Sequence, residues 1–225
     1  MPSVSSIAVG ANMAAAAASK ARHGMNENIA RLSTGIRAMY GGDAAGHSVG
    51  TAVSADGGGY SMAARNIEDG ISYLQMGESV LLEAANLATR IRELGIQADN
   101  AALLSTSDIA ALNAEAALAA DTIDMILDET QFNKVPVVDS AQSRTVTINY
   151  GYLTANTTTV GAETVVTAMT GISTAAGSDA TADTFLGKAA EALGNIAADL
   201  TALKGMQGVA NSTSANLVAA GARLM

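Results

Sequence analysis

Few residues in this chain are of the types that perform chemistry, and their spacing assembles no site. The two histidines, His23 and His47, form neither of the spacings, His-x-x-x-His or His-Glu-x-x-His, that set two imidazoles on one helix face around zinc. Ser33, in Leu32-Ser-Thr-Gly35, has no histidine in a recognisable relation to it and suits a polar residue near a helix end. Asp121, Asp124, Asp128 and Glu129 fall on a stretch with helical apolar repeats, where a solvated face is a simpler reading than a metal cage. Gly57-Gly-Gly59 lacks the preceding strand and following Lys-Ser/Thr of a phosphate loop. With no cysteine, thiol catalysis, thiolate metal sites and disulfides are excluded. No catalytic, cofactor-binding or metal-binding residue is expected, and the chain does not read as an enzyme.

The elements that would have to hold such residues are helices, and composition says so first. The chain has 225 residues, of which 49% are apolar but only 3% aromatic. Much of the apolar fraction is Ala, which buries little area but has the best helix propensity. Pro2 and Pro136 are the only prolines. Twelve basic against twenty-one acidic residues leave a net charge of −9, which disfavours nucleic acid and anionic membranes as partners. The N-terminus lacks a basic region followed by a leucine-rich one, so no cleaved signal peptide is expected. The run from Ala14 to Ala18 is too short and small-sided to span a bilayer.

Along the chain, Met25, Ile29, Leu32 and Ile36 make a seam on a first helix from about Val4 to Ile36, with Gly35 as its stop and Gly41-Gly42 a loop. Its Ala-rich first half offers little apolar face and should order only against a neighbour. Asp56-Gly-Gly-Gly59 reads as a break, with His47 in a Gly-rich loop before it. A second helix, from Arg65 to Asn100, carries Ile67, Ile71, Leu74, Leu81, Ala84, Ala88, Ile91, Leu94 and Ala98. Ser105-Thr-Ser-Asp108 turns the chain and offers an N-cap. A third helix, Ile109 to about Asp128, repeats at Ile109, Leu112, Ala116, Ala119, Ile123 and Ile126, a coiled-coil pattern. Residues 144–150 and 157–167 give strand signals in a Thr- and Val-rich insertion. A last helix, from Phe185, carries Leu186, Leu193, Leu200, Leu203 and Leu217, with Gln207 and Ser214 as register or edge residues.

Four strings appear to the eye as punctuation at turns and helix ends: Arg31-Leu-Ser-Thr-Gly-Ile-Arg37, Asp43-Ala-Ala-Gly46, Arg65-Asn-Ile-Glu-Asp-Gly-Ile-Ser72 and Gln131-Phe-Asn133. Asp43 and Asp69, beside glycines, suit capping or turn geometry. With the run Arg90-Ile-Arg-Glu-Leu94, these strings resemble bacterial flagellin in order and spacing, closely over residues 1–138 and more loosely over 185–225.

The resemblance implies a mainly α fold, a long antiparallel helical coiled-coil rod formed by N- and C-terminal helices, with a small β-rich insertion. Residues 1–35 would be an inner-tube helix, 36–134 the N-terminal part of the rod, 135–184 the surface insertion and 185–225 the C-terminal rod helix. It implies a subunit of the flagellar filament, a homopolymer, and passage unfolded through the flagellar export apparatus to an extracellular tip bearing the filament cap. Arg90, Leu94 and Glu115 match the rod surface that in many flagellins packs against the next subunit and is sensed by the flagellin-specific Toll-like receptor. Family members continue beyond a helix like Asn216-Leu-Val-Ala-Ala-Gly-Ala-Arg223 with a segment that pairs with the first helix. This chain stops at Met225, so the expectation is of a first helix without that partner and less stable filaments. A hook–filament junction protein, or a secreted adhesive surface protein, is the alternative reading.

Overall fold

The computed structural model describes residues 4–35, 43–138, 146–151, 157–160 and 172–225. In chain order the elements are helix α1 (Val4–Thr34), helix α2 (Ala44–Ala98), a short 3-10 turn (Ala101–Leu103) and helix α3 (Thr106–Glu129). Strands β1 (Gln131–Phe132), β2 (Val135–Pro136), β3 (Val146–Asn149) and β4 (Thr157–Val160) follow, and then helix α4 (Ser178–Leu224). The chain divides into two compact units, Met1–Gly58 with Thr213–Met225, and Gly59–Ser212. The loop at Gly41-Gly42 and the strand signal over 161–167 lie outside the described residues.

In the first unit, α1 ends where expected. Gly35 has φ +70° and its N–H bonds to the Arg31 carbonyl at 2.8 Å, a left-handed cap that glycine adopts without steric cost. Asp43 then starts α2: its Oδ1 accepts the Gly46 N–H at 2.8 Å, which satisfies one of the helix's orphan donors. The expected break at Gly57-Gly-Gly59 does not occur. Helix α2 runs unbroken through it, and His47 lies exposed on that helix rather than in a loop. Tertiary contact overrides propensity here. A Cβ on Gly57 would sit 2.9 Å from Val218 Cγ2 and 3.3 Å from the Val218 nitrogen, and one on Gly221 would sit 3.1 Å from the Gly50 carbonyl. The glycines let α2 and α4 approach closely, and Ser214 seals the contact by donating its hydroxyl to the Gly57 carbonyl at 2.8 Å.

The second unit holds the core. On α2 the expected seam is buried from Ile67 to Ala98, with Ile71 alone half-buried. Helix α4 runs antiparallel to it, so that Gly70 faces Leu203, Gly77 faces Ile196 and Gly95 faces Asp179. Arg92 pairs with Asp183 at 2.9 Å and Gln207 donates to Glu68 at 3.2 Å, an edge clasp of the kind expected of that residue. The α4 seam keeps Leu200 and Leu203 but is displaced from the leucines before them. Phe185, Ala189, Ala192, Ile196, Leu200 and Leu203 are buried, while Leu186 and Leu193 are half-buried beside them. The helix also starts at Ser178 rather than Phe185, because Ser178, Ala182 and Phe185 continue the same line of steps in small residues. On α3 the buried line is Leu112, Ala116, Ala120, Ile123 and Leu127. Its apolar stripe is two residues wide, and the core takes one edge of it.

The string at 65–72 is therefore mid-helix, not punctuation, and Asp69 caps nothing. Its glycine serves a different end: a Cβ on Gly70 would overlap Ile148 Cδ1, the buried side chain by which β3 sits on the helix. Strands β3 and β4 pair antiparallel from Val146 opposite Val160 to Asn149 opposite Thr157. Strands β1 and β2 form a tight hairpin whose turn residues, Asn133 and Lys134, have φ of 49° and 66°, the backbone of a type I′ turn.

Two expected results arise here. Gly95→Ala would place a Cβ 2.8 Å from the Asp179 backbone nitrogen. Overpacking costs about 1–3 kcal/mol, which outweighs the ~1 kcal/mol that Ala gains over Gly in a helix. Urea unfolding followed by circular dichroism should show a net loss of stability.

The other concerns the start of α3, where Ser105 and Asp108 form a reciprocal capping box. Ser105→Ala is expected to cost about 1 kcal/mol in the same measurement. The hydroxyl and then the N–H of Ser105 bond to the Asp108 carboxylate and hold its pKa below the ordinary carboxylate value. A lowered folded pKa means that the cap's contribution is present above the unfolded carboxylate pKa. It is lost as pH falls through the folded one, and Asp108→Asn should remove that acid dependence.

Candidate functional site

The first candidate is an uncovered seam. Along α1 the residues Ile7, Ala11, Ala14, Ala18, Ala21, Met25, Ile29 and Leu32 follow one another in steps of three or four, and all are exposed. Ile7, Met25, Ile29 and Leu32 are 64%, 58%, 57% and 85% exposed. The steps are those of a coiled-coil a/d line, left uncovered among the described residues. Bulky residues at 25, 29 and 32 made its second half readable; its first half is Ala, which leaves periodicity without amplitude. Arg31 and Glu27 form an ion pair beside it.

The second candidate is the surface of α2 and α3. Arg90 donates through Nε and Nη2 to Glu115 Oε1 at 2.8 and 2.7 Å, and through Nη1 to Glu93 Oε2 at 3.2 Å. The hydrogen bond to Glu115, then that to Glu93, raises the guanidinium pKa above its ordinary value. Both Arg90 and Glu115 have about half of their side-chain surface in water, so the pair is screened and orients two side chains more than it stabilises the fold. Leu94 does not join them. It is 1% exposed and packs with Ala98, Leu112, Ala116 and Ala175, so its expected place on a contact surface is corrected to the core. One leucine in the α2 seam cannot face both α3 and the solvent.

A third feature, an open cleft of about 340 Å³, lies between Asp69, Tyr73, Phe132 and Thr147. The Tyr73 hydroxyl is engaged by the Pro136 and Val137 carbonyls at 3.1 and 3.3 Å. The Tyr73 and Phe132 rings meet edge to face with centroids 6.1 Å apart. Its lining has no histidine, cysteine or basic residue beside Asp69 to make an acid–base pair. Among the described residues no group of three or more His, Cys, Asp and Glu is arranged to hold a metal, and no helix is long and apolar enough to cross a membrane. What the geometry offers is surface for association.

The model of the family described as the bacterial flagellin N-terminal helical region matches residues 6–143, more than half of the chain. The flagellin of Salmonella typhimurium is 38% identical over 133 residues, 59% of this chain and 26% of that protein. Flagellin 1 of Proteus mirabilis is 38% identical over 128 residues, 56% of this chain and 35% of that one. The match thus spans about a quarter of the length of the Salmonella relatives. Among solved structures, Bacillus cereus flagellin superposes with a TM-score of 0.53 at 23% identity, covering 64% of this chain and 88% of that one, a likeness of fold.

Proposed function

Because this chain belongs to the bacterial flagellin family, we propose that it is a structural subunit of the flagellar filament, which polymerises with copies of itself and performs no catalysis. The observation that carries the reading is the exposed α1 seam within the matched region. An isolated helix whose apolar line is mostly Ala is marginal in water, and it gains a purpose when copies of the chain cover it. Residues 1–35 would then be the assembly segment, and the α2–α4 pair the body that presents it.

In this reading the subunit leaves the cell through the flagellar export apparatus, without a cleaved signal peptide, and is added beneath the filament cap outside the cell. Arg90 and Glu115 are the residues we assign to a contact with the next subunit or with the flagellin-specific Toll-like receptor. Leu94 supports that surface from below by holding α2 against α3. Electron microscopy and sedimentation of the purified protein at rising concentration test the proposal. Filaments above a threshold concentration are expected; a monomer unchanged across concentration, salt and pH would overturn it.

A further inference from the structure

We infer that Met25 is an oxidation site that switches the α1 seam off, with peroxide as the oxidant. The inference rests on the filament reading, since it takes a second copy of this chain as the occupant of the seam. Three observations meet at this residue. Met25 lies on the seam line, between Ala21 and Ile29. It is 58% exposed, so its thioether is open to a small oxidant in the free subunit. It is also one of four bulky side chains on a line whose other four residues are Ala, so part of the apolar contact there depends on it.

The chemistry needs nothing but the peroxide. The sulfur attacks one peroxide oxygen, the O–O bond breaks, a sulfur–oxygen bond forms and the other oxygen leaves as water. Sulfur is oxidised by two electrons and the peroxide is reduced. The product is a polar, chiral sulfoxide in place of a flexible apolar group. Covering that oxygen with an apolar helix face strips its water and supplies no donor, which disfavours burial. In the free subunit the sulfoxide stays hydrated and changes nothing, so the fold is spared and only association is lost.

The same helix carries its own control. Met13 is 70% exposed, but it lies twelve residues from Met25, about 120° away around the helix, off the seam. Oxidation there is expected to be silent.

The experiment treats purified subunit with hydrogen peroxide, locates the sulfoxides by mass spectrometry, and measures the critical concentration for polymer by sedimentation. Untreated protein polymerises. Treated protein is expected to need about a tenfold higher concentration or more, and methionine sulfoxide reductase restores the original value. Treated Met25→Leu polymerises as untreated protein does, treated Met13→Leu fails as wild type does, and untreated Met25→Gln fails without oxidant. Peroxide added after assembly should oxidise Met25 about tenfold more slowly, because the seam is covered. Treated wild type that polymerises normally with Met25 fully oxidised would overturn the inference, as would a Met25→Leu variant as sensitive as wild type. Failure of the untreated protein to polymerise would instead overturn the filament reading, and this inference with it.

Discussion

Replacing Phe185 with alanine is expected to cost about 3–5 kcal/mol of stability, among the larger losses from a single truncation of the described residues. Phe185 heads the fully buried side chains by size. The chain has only two phenylalanines and no tryptophan. The buried cluster to which it belongs includes Ala182, Ala189, Ala88 and Ala84 along with longer aliphatics. Alanines are the reason the site cannot recover: they have no rotamers with which to close over a hole. Against a typical total of about 5–15 kcal/mol for a domain, the variant would sit near the edge of folding. Urea titration followed by helical circular dichroism measures it. Phe185→Leu, which keeps most of the volume, should lose much less. An Ala variant within 1 kcal/mol of wild type would show that the second unit does not rely on this ring.

A double substitution on the α1 seam, Ile29→Lys with Leu32→Lys, should abolish polymer while leaving the monomer's unfolding curve in place. Both side chains are largely in water already, at 57% and 85% exposed, so the monomer has little burial to lose. Lys is as good a helix former as Leu. In a polymer the same two positions would put charges on the covered line of every subunit, and an unpaired buried charge is far costlier than a lost methylene. Sedimentation should find the variant in the supernatant at concentrations where wild type pellets. A pair of substitutions on the opposite side of α1 serves as the comparison. Normal polymer from the seam variant would mean that α1 is not where copies meet.

The two results would separate folding from association in one chain, and that separation follows which parts of the molecule could be read in advance. Where the seam is built of Ile and Leu, as from Ile67 to Ala98 on α2, spacing alone identifies the buried face. Where it is built of Ala and Ser, as at Ser178, Ala182, Ala189 and Ala192, the hydrophobic signal is weak and the neighbouring Leu186 and Leu193 draw the eye one residue aside. The capping residues Asp43 and Ser105 were legible because their chemistry is local. The glycines were misread at 57 and 70 because their purpose is distant: Val218 in one unit and Ile148 in the other. The half of the proposed association surface at Met25, Ile29 and Leu32 shows in the spacing. The Arg90–Glu115 pair does not, since nothing local links residues on different helices, and those positions came from family resemblance. Burial of Leu94 was implicit in its place on the α2 seam, a conflict between two readings that only packing resolves.

The glycines facing α4 in the second unit have one more consequence. Gly95 against the backbone of Asp179 works as a notch: slide either helix by a residue and a side chain meets a wall where there had been a gap. Alignment of the two helices is thus stored in the helices themselves. In the segment that joins α3 to α4, Val137, Val138, Ile148 and Ala175 are buried against the helices, but the notch at Gly95 does not depend on them. Substitutions at its exposed described positions should leave the alignment of the paired helices unchanged.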